Sequence, residues 1–292
     1  MSGVSDPLTS RLTDLASSDD VEQLVRLGCD LAEAGRAEDA ESCFRRAGEL
    51  GSAVALFDLG NALQELGRPT EAVAAYEAAV AAGETDAWLN LGNVLVELGD
   101  LAGGMSAYRA AAAAGDSEGA LALAFELREQ GERALAEEAA QDAAAAGNEQ
   151  AAGVLACWRW CRTSDPALEP DLRAGADHFP AARADLADLL RTSGRVEEAQ
   201  RVLESGAKLG ESESLLPLGN LYADELDDID AAEIAYRAGI AAGDNNCHNN
   251  LALLLWRDRG DRDAAEVEFR LGAAEGDALA ARHLQELVND ED

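Results

Sequence analysis

The amino-acid sequence predicts an all-α protein, a right-handed α-solenoid of about eight helix-turn-helix repeats with a period near 32 residues. Two observations carry this prediction. A Leu followed by a small residue recurs at steps of 31 to 33 residues, and other positions keep the same spacing. Hydrophobic residues make up 48% of the 292 residues but aromatic residues only 4%, which is typical of closely packed helices and not of a sheet core.

Five kinds of position stay in phase along the chain. The Leu-small pairs begin at Leu27, Leu59, Leu91, Leu123, Leu155, Leu186, Leu218 and Leu251. A turn Gly follows at Gly35, Gly67, Gly99, Gly131, Gly194 and Gly260. Next come a small residue (Ala40, Ala72, Gly104, Ala136, Ala199, Ala232, Ala265) and a large one (Phe44, Tyr76, Tyr108, Leu203, Tyr236, Phe269). A second Gly closes the repeat at Gly51, Gly83, Gly115, Gly147, Gly210, Gly243 and Gly276.

Each repeat is interpreted as two antiparallel helices. In the third repeat, apolar residues spaced three and four apart form one stripe on the first helix, at Trp88, Leu91, Leu95 and Leu98. Gly99 is expected to end that helix in a left-handed conformation, which Gly adopts at little cost. A second helix then buries Tyr108 and Ala111, and Gly115 stops it. One hairpin cannot bury both of its faces, so neighbouring hairpins are expected to stack.

The two ends of the chain are predicted to cap the stack. Residues 1–20 form an N-terminal extension with a short helix over residues 7–17, in which Asp6 is the N-cap and Pro7 lies in the first turn. Residues 278–292 form a C-terminal capping helix, over 278–289, and an acidic tail that is expected to fray.

Between the ends, residues 21–149 hold four regular repeats and residues 181–277 hold three more. Residues 150–180 form an irregular repeat, where Pro166 and Pro170 are expected to shorten the second helix. His178, Phe179 and Pro180 replace the usual Gly link there. We therefore predict a bend or hinge in this segment.

The repeat resembles two related families. Trp88, Leu91, Gly92, Leu95, Gly104, Tyr108 and Ala111 match the order of large and small positions in tetratricopeptide repeats. The segments from Tyr108 to Asp116 and from Tyr236 to Asp244 are similar to Sel1-like repeats. The resemblance covers about residues 21 to 277, although the period is two residues shorter than the tetratricopeptide period of about 34. It implies a protein that binds other proteins on the concave face of a superhelix.

Composition and motifs exclude several function classes. The formal net charge of −34 repels phosphate and anionic lipid, so neither nucleic acid nor a membrane is an expected partner. The sequence contains no nucleotide-binding loop, no nucleophile elbow and no zinc-protease motif. We therefore expect a non-catalytic protein without cofactor or metal. The first residues lack the features of a signal peptide and no apolar stretch is long enough to span a membrane, which predicts a cytoplasmic location.

The first helices carry the candidate binding residues. In tetratricopeptide proteins, Asn at matching positions commonly holds the backbone of an extended peptide, because a carboxamide both donates and accepts. The resemblance therefore implies a binding role for Asn61, Asn90, Asn93 and Asn220. Phe57, Leu89 and Phe125 are expected to give apolar contacts. Hydrogen bonding at helix termini is the alternative role of the Asn residues.

Phe57 and Leu89, together with Leu121, occupy the places where the tetratricopeptide domains that grip chaperone C-terminal carboxylates carry Lys or Arg. That kind of clamp is therefore excluded for this chain. A neutral or basic, partly apolar ligand fits these positions better.

Glu33, Glu65, Glu97 and Glu129 repeat every 32 residues near the ends of the first helices. The negative end of each helix opposes a carboxylate there by a few tenths of a kcal/mol. A basic peptide along the groove would offset this cost, and so would water and salt at an exposed rim.

Trp160 and Trp256 are further candidate binding anchors, because the family usually places side chains at that register on the concave face. Cover by a neighbouring helix is the alternative. Cys157 and Cys161, spaced i and i+4, are interpreted as reduced thiols in a Trp-lined core, and a metal site that includes His178 is the alternative.

The predicted function is a protein-protein interaction scaffold, with a neutral to basic partner protein or extended peptide on the concave face. The alternative is a structural protein that self-associates through an end or edge of the stack. We expect a monomer, with a homo-oligomer as the other possibility.

Overall fold

The computed structural model describes residues 7–15 and 18–289. Over these residues the chain forms eighteen α-helices and no β-strand, which confirms the all-α fold class. The helices are α1 (Pro7–Leu15), α2 (Val21–Glu33), α3 (Ala37–Glu49), α4 (Ala53–Glu65), α5 (Pro69–Ala81), α6 (Ala87–Glu97), α7 (Leu101–Ala113), α8 (Ser117–Glu129), α9 (Arg133–Ala145), α10 (Glu149–Thr163), α11 (Glu169–Gly175), α12 (Pro180–Thr192), α13 (Val196–Leu209), α14 (Leu215–Asp224), α15 (Ile229–Ala241), α16 (Asn246–Arg257), α17 (Arg262–Ala274) and α18 (Ala278–Asn289). The predicted cap Asp6 and the tail residues 290–292 lie outside the described residues.

From α2 onward the helices pair as hairpins, and within each of the two units described below a second helix packs against the first helix that precedes it and the one that follows it. First helices of neighbouring hairpins also contact each other, as α6 does with α8 and α12 and α16 do with α14. Contacts divide the chain into two compact units, Met1–Asn148 and Glu149–Asp292. We call these the N-terminal and C-terminal units.

The glycines of the two turn columns all adopt the left-handed conformation, with φ between 68° and 99°. At Gly99, for example, φ is 86°, and the backbone N–H groups of Gly99 and Asp100 donate to Val96 and Leu95 at 2.9 and 2.8 Å. These bonds satisfy carbonyl groups at the end of α6 that have no partner within the helix. The predicted role of these glycines as helix stops is confirmed.

The small and large columns form the core between the helices of each hairpin. All eight Leu of the Leu-small pairs are buried, and so are all six residues of the large column. The aromatic rings lie directly on the backbone of the first helix. A Cβ atom added at Gly60 would stand 2.3 Å from Cε1 of Tyr76, well inside van der Waals contact. In the predicted apolar stripe of α6, Leu98 is an exception and is 47% exposed, because it follows the last helical residue.

Arginines in the turns link neighbouring hairpins. Arg68, at the N-cap of α5, bonds Glu71 through Nε and Nη2 at 2.6 Å, and its Nη1 donates to Glu41 of the preceding hairpin at 2.7 Å. Arg195 repeats this arrangement with Glu198 and Glu169, at 2.8 and 2.7 Å. The carboxylates on the second helices therefore include several that pair with arginine across repeats.

The irregular repeat is built as the prolines predict. Its second helix, α11, has 7 residues, against 13 or 14 in most other repeats, and follows a 3-10 turn over Pro166–Leu168. The two helices approach closely at paired glycines, since a Cβ at Gly175 would lie 2.5 Å from Cα of Gly153. A hinge in this segment remains a prediction.

Candidate partner-binding face

The candidate residues lie on two surfaces formed by the first helices. We call the side chains that α2, α4, α6 and α8 present to solvent the N-terminal face, and those of α10, α12, α14 and α16 the C-terminal face. On the N-terminal face, Phe57, Leu89 and Asn90 are half-buried, whereas Asn93 and Phe125 are exposed. Leu89 lines an open depression of about 400 Å³ together with Asp86 and Asp116.

The Asn residues contact a buried tyrosine of their own repeat. The hydroxyl of Tyr76 donates to Oδ1 of Asn61 at 2.7 Å, and the hydroxyl of Tyr108 donates to Oδ1 of Asn93 at 2.8 Å. In the C-terminal unit, the hydroxyl of Tyr236 donates to Oδ1 of Asn220 at 2.8 Å. The Gly before each Asn lets the ring lie against the helix, so the hydroxyl reaches the next residue. These Asn residues therefore have a structural role.

A second carboxamide joins the network from the following repeat. Nδ2 of Asn90 donates to Oδ1 of Asn61 at 2.9 Å, and Nδ2 of Asn250 donates to Oδ1 of Asn220 at 2.7 Å. A carboxamide oxygen has two lone pairs, so Oδ1 of Asn220 is fully used within the chain, whereas Oδ1 of Asn61 shares the hydroxyl of Tyr76 with Oε1 of Gln64. Nδ2 of Asn61 and of Asn220 donates to no other described residue.

The sequence contains the signal for this network. Asn follows the Leu-Gly pair in the three repeats whose large column holds Tyr. Where the large residue is Phe44 or Phe269, which has no hydroxyl, the corresponding position holds Cys29 or Leu253. Because Asn occurs where the large residue is Tyr and not where it is Phe, the sequence indicates that this Asn is the hydrogen-bond partner of the tyrosine hydroxyl. Within the described residues, Asn61 and Asn93 bond tyrosine hydroxyls and not helix termini, which was the alternative role, and their part in partner binding stays a prediction.

The Glu column lies at the helix ends. Glu33, Glu65, Glu97 and Glu129 are the last residues of α2, α4, α6 and α8, and all four are exposed. None of them forms an ion pair or a hydrogen bond through its carboxylate with another described residue. These carboxylates form a negatively charged row along one edge of the N-terminal face.

The two Trp candidates differ from each other in burial, and the binding role of Trp256 stays a prediction. Trp160 is only 6% exposed and packs in the core of the C-terminal unit with Leu172 and Leu186, so its assignment as an exposed anchor is wrong. Helices α11 and α12 cover it. Trp256 is half-buried, packs edge to face on Phe269 with centroids 6.4 Å apart, and carries the guanidinium of Arg257 5.8 Å above its ring.

Cys157 and His178, the residues of the alternative metal site, contact different carboxylates. The thiol of Cys157 pairs with Asp185, and burial raises the pKa of both groups. Nδ1 of His178 lies 3.2 Å from Glu149. Over residues 7–15 and 18–289, no three His, Cys, Asp or Glu side chains are arranged to hold a metal ion.

Sequence reasoning missed a pocket on the C-terminal face. It has a volume of about 410 Å³, lies between α12 and α14, and is adjacent to a second pocket of about 220 Å³ between α14 and α16. Asn220 and Asp224 line both. Only Asn220 was among the candidates. Leu216 occupies the position of Phe57 and Leu89 in its repeat, but Asp188 has no acidic counterpart at the equivalent positions of the other repeats.

None of the described helices has the length and apolar character needed to cross a bilayer. Residues 57–118 match the model of the tetratricopeptide repeat family. No curated protein matches the sequence significantly.

Solved structures share the fold over nearly the whole chain. A Sel1 repeat protein from Oxalobacter formigenes has a TM-score of 0.70 and 19% identity, over 97% of this chain and 92% of that one. A protective antigen of uropathogenic Escherichia coli strains, displaying an SLR fold, has a TM-score of 0.70 and 23% identity, over 96% of this chain and 66% of that one. Yeast Tom70 has a TM-score of 0.52 and 12% identity, over 97% of this chain and 68% of that one. The predicted resemblance to tetratricopeptide and Sel1-like repeats is confirmed.

Proposed function

We propose that the chain is a non-catalytic scaffold that binds a neutral to basic, extended segment of a partner protein on the concave side formed by its first helices. The observation that carries this proposal is the row of carboxylates at Glu33, Glu65, Glu97 and Glu129, none of which pairs with another described residue. Each carboxylate sits at the negative end of a helix, where the helix dipole disfavours it. A cationic ligand would offset that cost and would be attracted by the row before contact.

Apolar side chains beside the row support the same proposal. Phe57 and Leu89 are half-buried and Phe125 is 36% exposed, so a bound segment can cover them further. The depression at Leu89 is flanked by Asp86 and Asp116, which favours a segment with apolar and basic residues together. The Nδ2 group of Asn61 is available to bond a peptide carbonyl.

The experiment is affinity capture from native lysate, with quantitative mass spectrometry of the captured proteins. Replacing Glu65→Lys and Glu97→Lys is expected to reduce the captured partner at least tenfold, because two attractive charges become repulsive. The matched control is Glu77→Lys with Glu138→Lys, two exposed carboxylates on α5 and α9 of the same unit. Equal loss in both variants, or no loss in the first, would contradict the proposal.

The variant Asn61→Ala with Asn93→Ala is also expected to weaken capture. Because both Asn residues hold tyrosine hydroxyls, the melting temperature of this variant must be measured in parallel. A loss of capture is attributed to weaker binding only at temperatures where the variant remains folded.

Self-association is the second candidate function. It is favoured by exposed apolar residues on the second helices α15 and α17, where Ile234 is 70%, Val267 54% and Leu271 47% exposed. Sedimentation velocity at low and high salt tests it, since the net charge opposes association when screening is weak. A monomer at both salt concentrations would remove this candidate.

A further inference from the structure

The pocket between α12 and α14 has an apolar floor and an acidic rim. Leu203, Leu216, Pro217 and Leu221 form the apolar part. Its volume of about 410 Å³ lies within the range of about 300–1,000 Å³ that is usual for ligand pockets. The pocket is large enough for one long side chain and the backbone that carries it.

Four carboxylates and one guanidinium line the pocket. Nη2 of Arg191 lies 2.9 Å from Asp188, and its Nη1 lies 3.3 Å from Glu225, so the cation is already shared between two acids. Asp224 forms no ion pair or hydrogen bond with another described residue. Asp185, the fourth carboxylate, is partly buried and pairs with the thiol of Cys157. The pocket therefore carries an excess of negative charge.

Asn220 adds a directed donor to the pocket. Its Oδ1 accepts from both Tyr236 and Asn250, at 2.8 and 2.7 Å, which fixes the orientation of the carboxamide. The group left to a ligand is Nδ2, which suits a peptide carbonyl. This fixed donor next to an apolar floor matches the backbone of an extended chain.

We propose that this pocket binds the arginine or lysine side chain of an extended partner segment, whose carbonyl accepts from Nδ2 of Asn220. The inference rests on the proposed function, since it describes what the bound segment carries on the C-terminal face. The stem of the side chain packs on Leu216 and Pro217, and its charged end pairs with Asp224 and Asp188. An anionic side chain is repelled, and an apolar one leaves the carboxylates desolvated without a partner.

The probes are two acetylated, amidated pentapeptides, Leu-Ala-Arg-Ala-Leu and the same peptide with citrulline in place of arginine. Citrulline keeps the shape of arginine and removes its charge. Each is titrated to millimolar concentration into the uniformly ¹⁵N-labelled full chain and followed by transverse-relaxation-optimised NMR spectra. The arginine peptide is expected to shift amide signals of α12 and α14, and to bind about tenfold more tightly than the citrulline peptide.

A pair of variants separates the pocket from the overall charge of the chain. Asp188→Asn with Asp224→Asn is expected to remove the preference for arginine over citrulline. Asp171→Asn with Glu197→Gln makes the same change in net charge at exposed positions of α11 and α13. This variant is expected to keep the preference for the arginine peptide. Equal binding of the two peptides to the unaltered chain, or shifts that avoid α12 and α14, would overturn the inference.

The outcome is independent of the test of the proposed function. If the arginine peptide fails to bind here while Glu65→Lys with Glu97→Lys still abolishes partner capture, the pocket inference fails and the scaffold proposal stands. If the peptide binds here while that variant captures its partner normally, the role of the N-terminal face fails and the pocket inference stands.

Discussion

At the scale of single residues, the close contact between Gly and an aromatic ring organises the repeat. Gly60, Gly92 and Gly219 leave room for the rings of Tyr76, Tyr108 and Tyr236 against the helix backbone. The hydroxyl of each Tyr therefore reaches the Asn that directly follows the Gly on the first helix. The residue that packs the core therefore also orients a surface carboxamide.

Gly60→Ala is expected to lower the free energy of unfolding by about 1–3 kcal/mol, because the new methyl group forces the ring of Tyr76 aside. Intrinsic helix propensity acts in the opposite direction, since Ala stabilises a helix relative to Gly by about 1 kcal/mol. Urea unfolding, monitored by circular dichroism, measures the net change in the free energy of unfolding from these two effects. A gain in stability would disprove the close-contact account.

A compensating change is available from the chain itself. The sixth repeat has Ala187 and Leu203 at these two positions. Adding Tyr76→Leu to Gly60→Ala is therefore expected to cost less than the sum of the two single changes.

Alkaline pH is expected to destabilise the protein through its buried tyrosines. Burial raises the pKa of Tyr76 to about 12, above the value of about 10 in an unfolded chain. The unfolded phenol therefore loses its proton first. The stability is fully present below pH 10 and declines as the pH rises toward 12, by about 1.4 kcal/mol at pH 11.

Urea unfolding of the wild type and of Tyr76→Phe, at pH 9 and pH 11, measures this contribution. The Phe variant is expected to lose less stability between the two pH values. An identical loss in both proteins would show that Tyr76 does not contribute.

At the scale of helices, α12 contributes a buried ion pair to the C-terminal unit. The side chain of Arg183 on α12 is only 7% exposed, and its Nε donates to Glu211 at 2.8 Å. Its Nη2 donates to the carbonyl of Ala176 at 2.8 Å. These bonds connect the end of the irregular repeat, α12 and the turn after α13.

Glu211→Ala is expected to cost about 3 kcal/mol of unfolding free energy, since it leaves a buried guanidinium without its main carboxylate. The value lies at the lower end of the usual range because the carbonyl of Ala176 still accepts from Arg183. Glu213→Ala, at an exposed position in the same turn, serves as the control and is expected to stay within about 0.5 kcal/mol. Chemical unfolding measures both, and equal effects would mean that the ion pair is not the cause.

At the scale of the whole molecule, the dominant property is the net charge of −34. The arginines in the turns offset part of this charge locally, but Asp and Glu outnumber Lys and Arg by 57 to 23. Like charges repel within each unit, and salt screens them with a Debye length of about 10 Å at 0.1 M. The same excess attracts basic partners at low ionic strength.

Raising NaCl from 10 mM to 500 mM is expected to increase the melting temperature by several degrees. Differential scanning calorimetry measures the change, and tetramethylammonium chloride at equal ionic strength distinguishes screening from specific sodium binding. A melting temperature that falls or stays constant with salt would show that self-repulsion is not a major cost.

The sequence by itself determined the all-α fold class, the helix stops and the core positions of the repeat. These follow from local rules, because left-handed turns favour Gly and a repeated hairpin must bury the same positions each time. The same reasoning predicted that the residues of the Glu column lie at equivalent positions near the ends of successive first helices, because they repeat every 32 residues.

Only the tertiary structure decided which side chains reach one another across repeats. The burial of Trp160 follows from the short helix α11, which departs from the repeat, so periodicity assigned it to the wrong surface. The acidic pocket between α12 and α14 is formed by residues distant in sequence, and one of them, Asp188, has no acidic counterpart in the other repeats. Contacts that do not repeat leave no periodic signal, because they depend on how two particular helices pack.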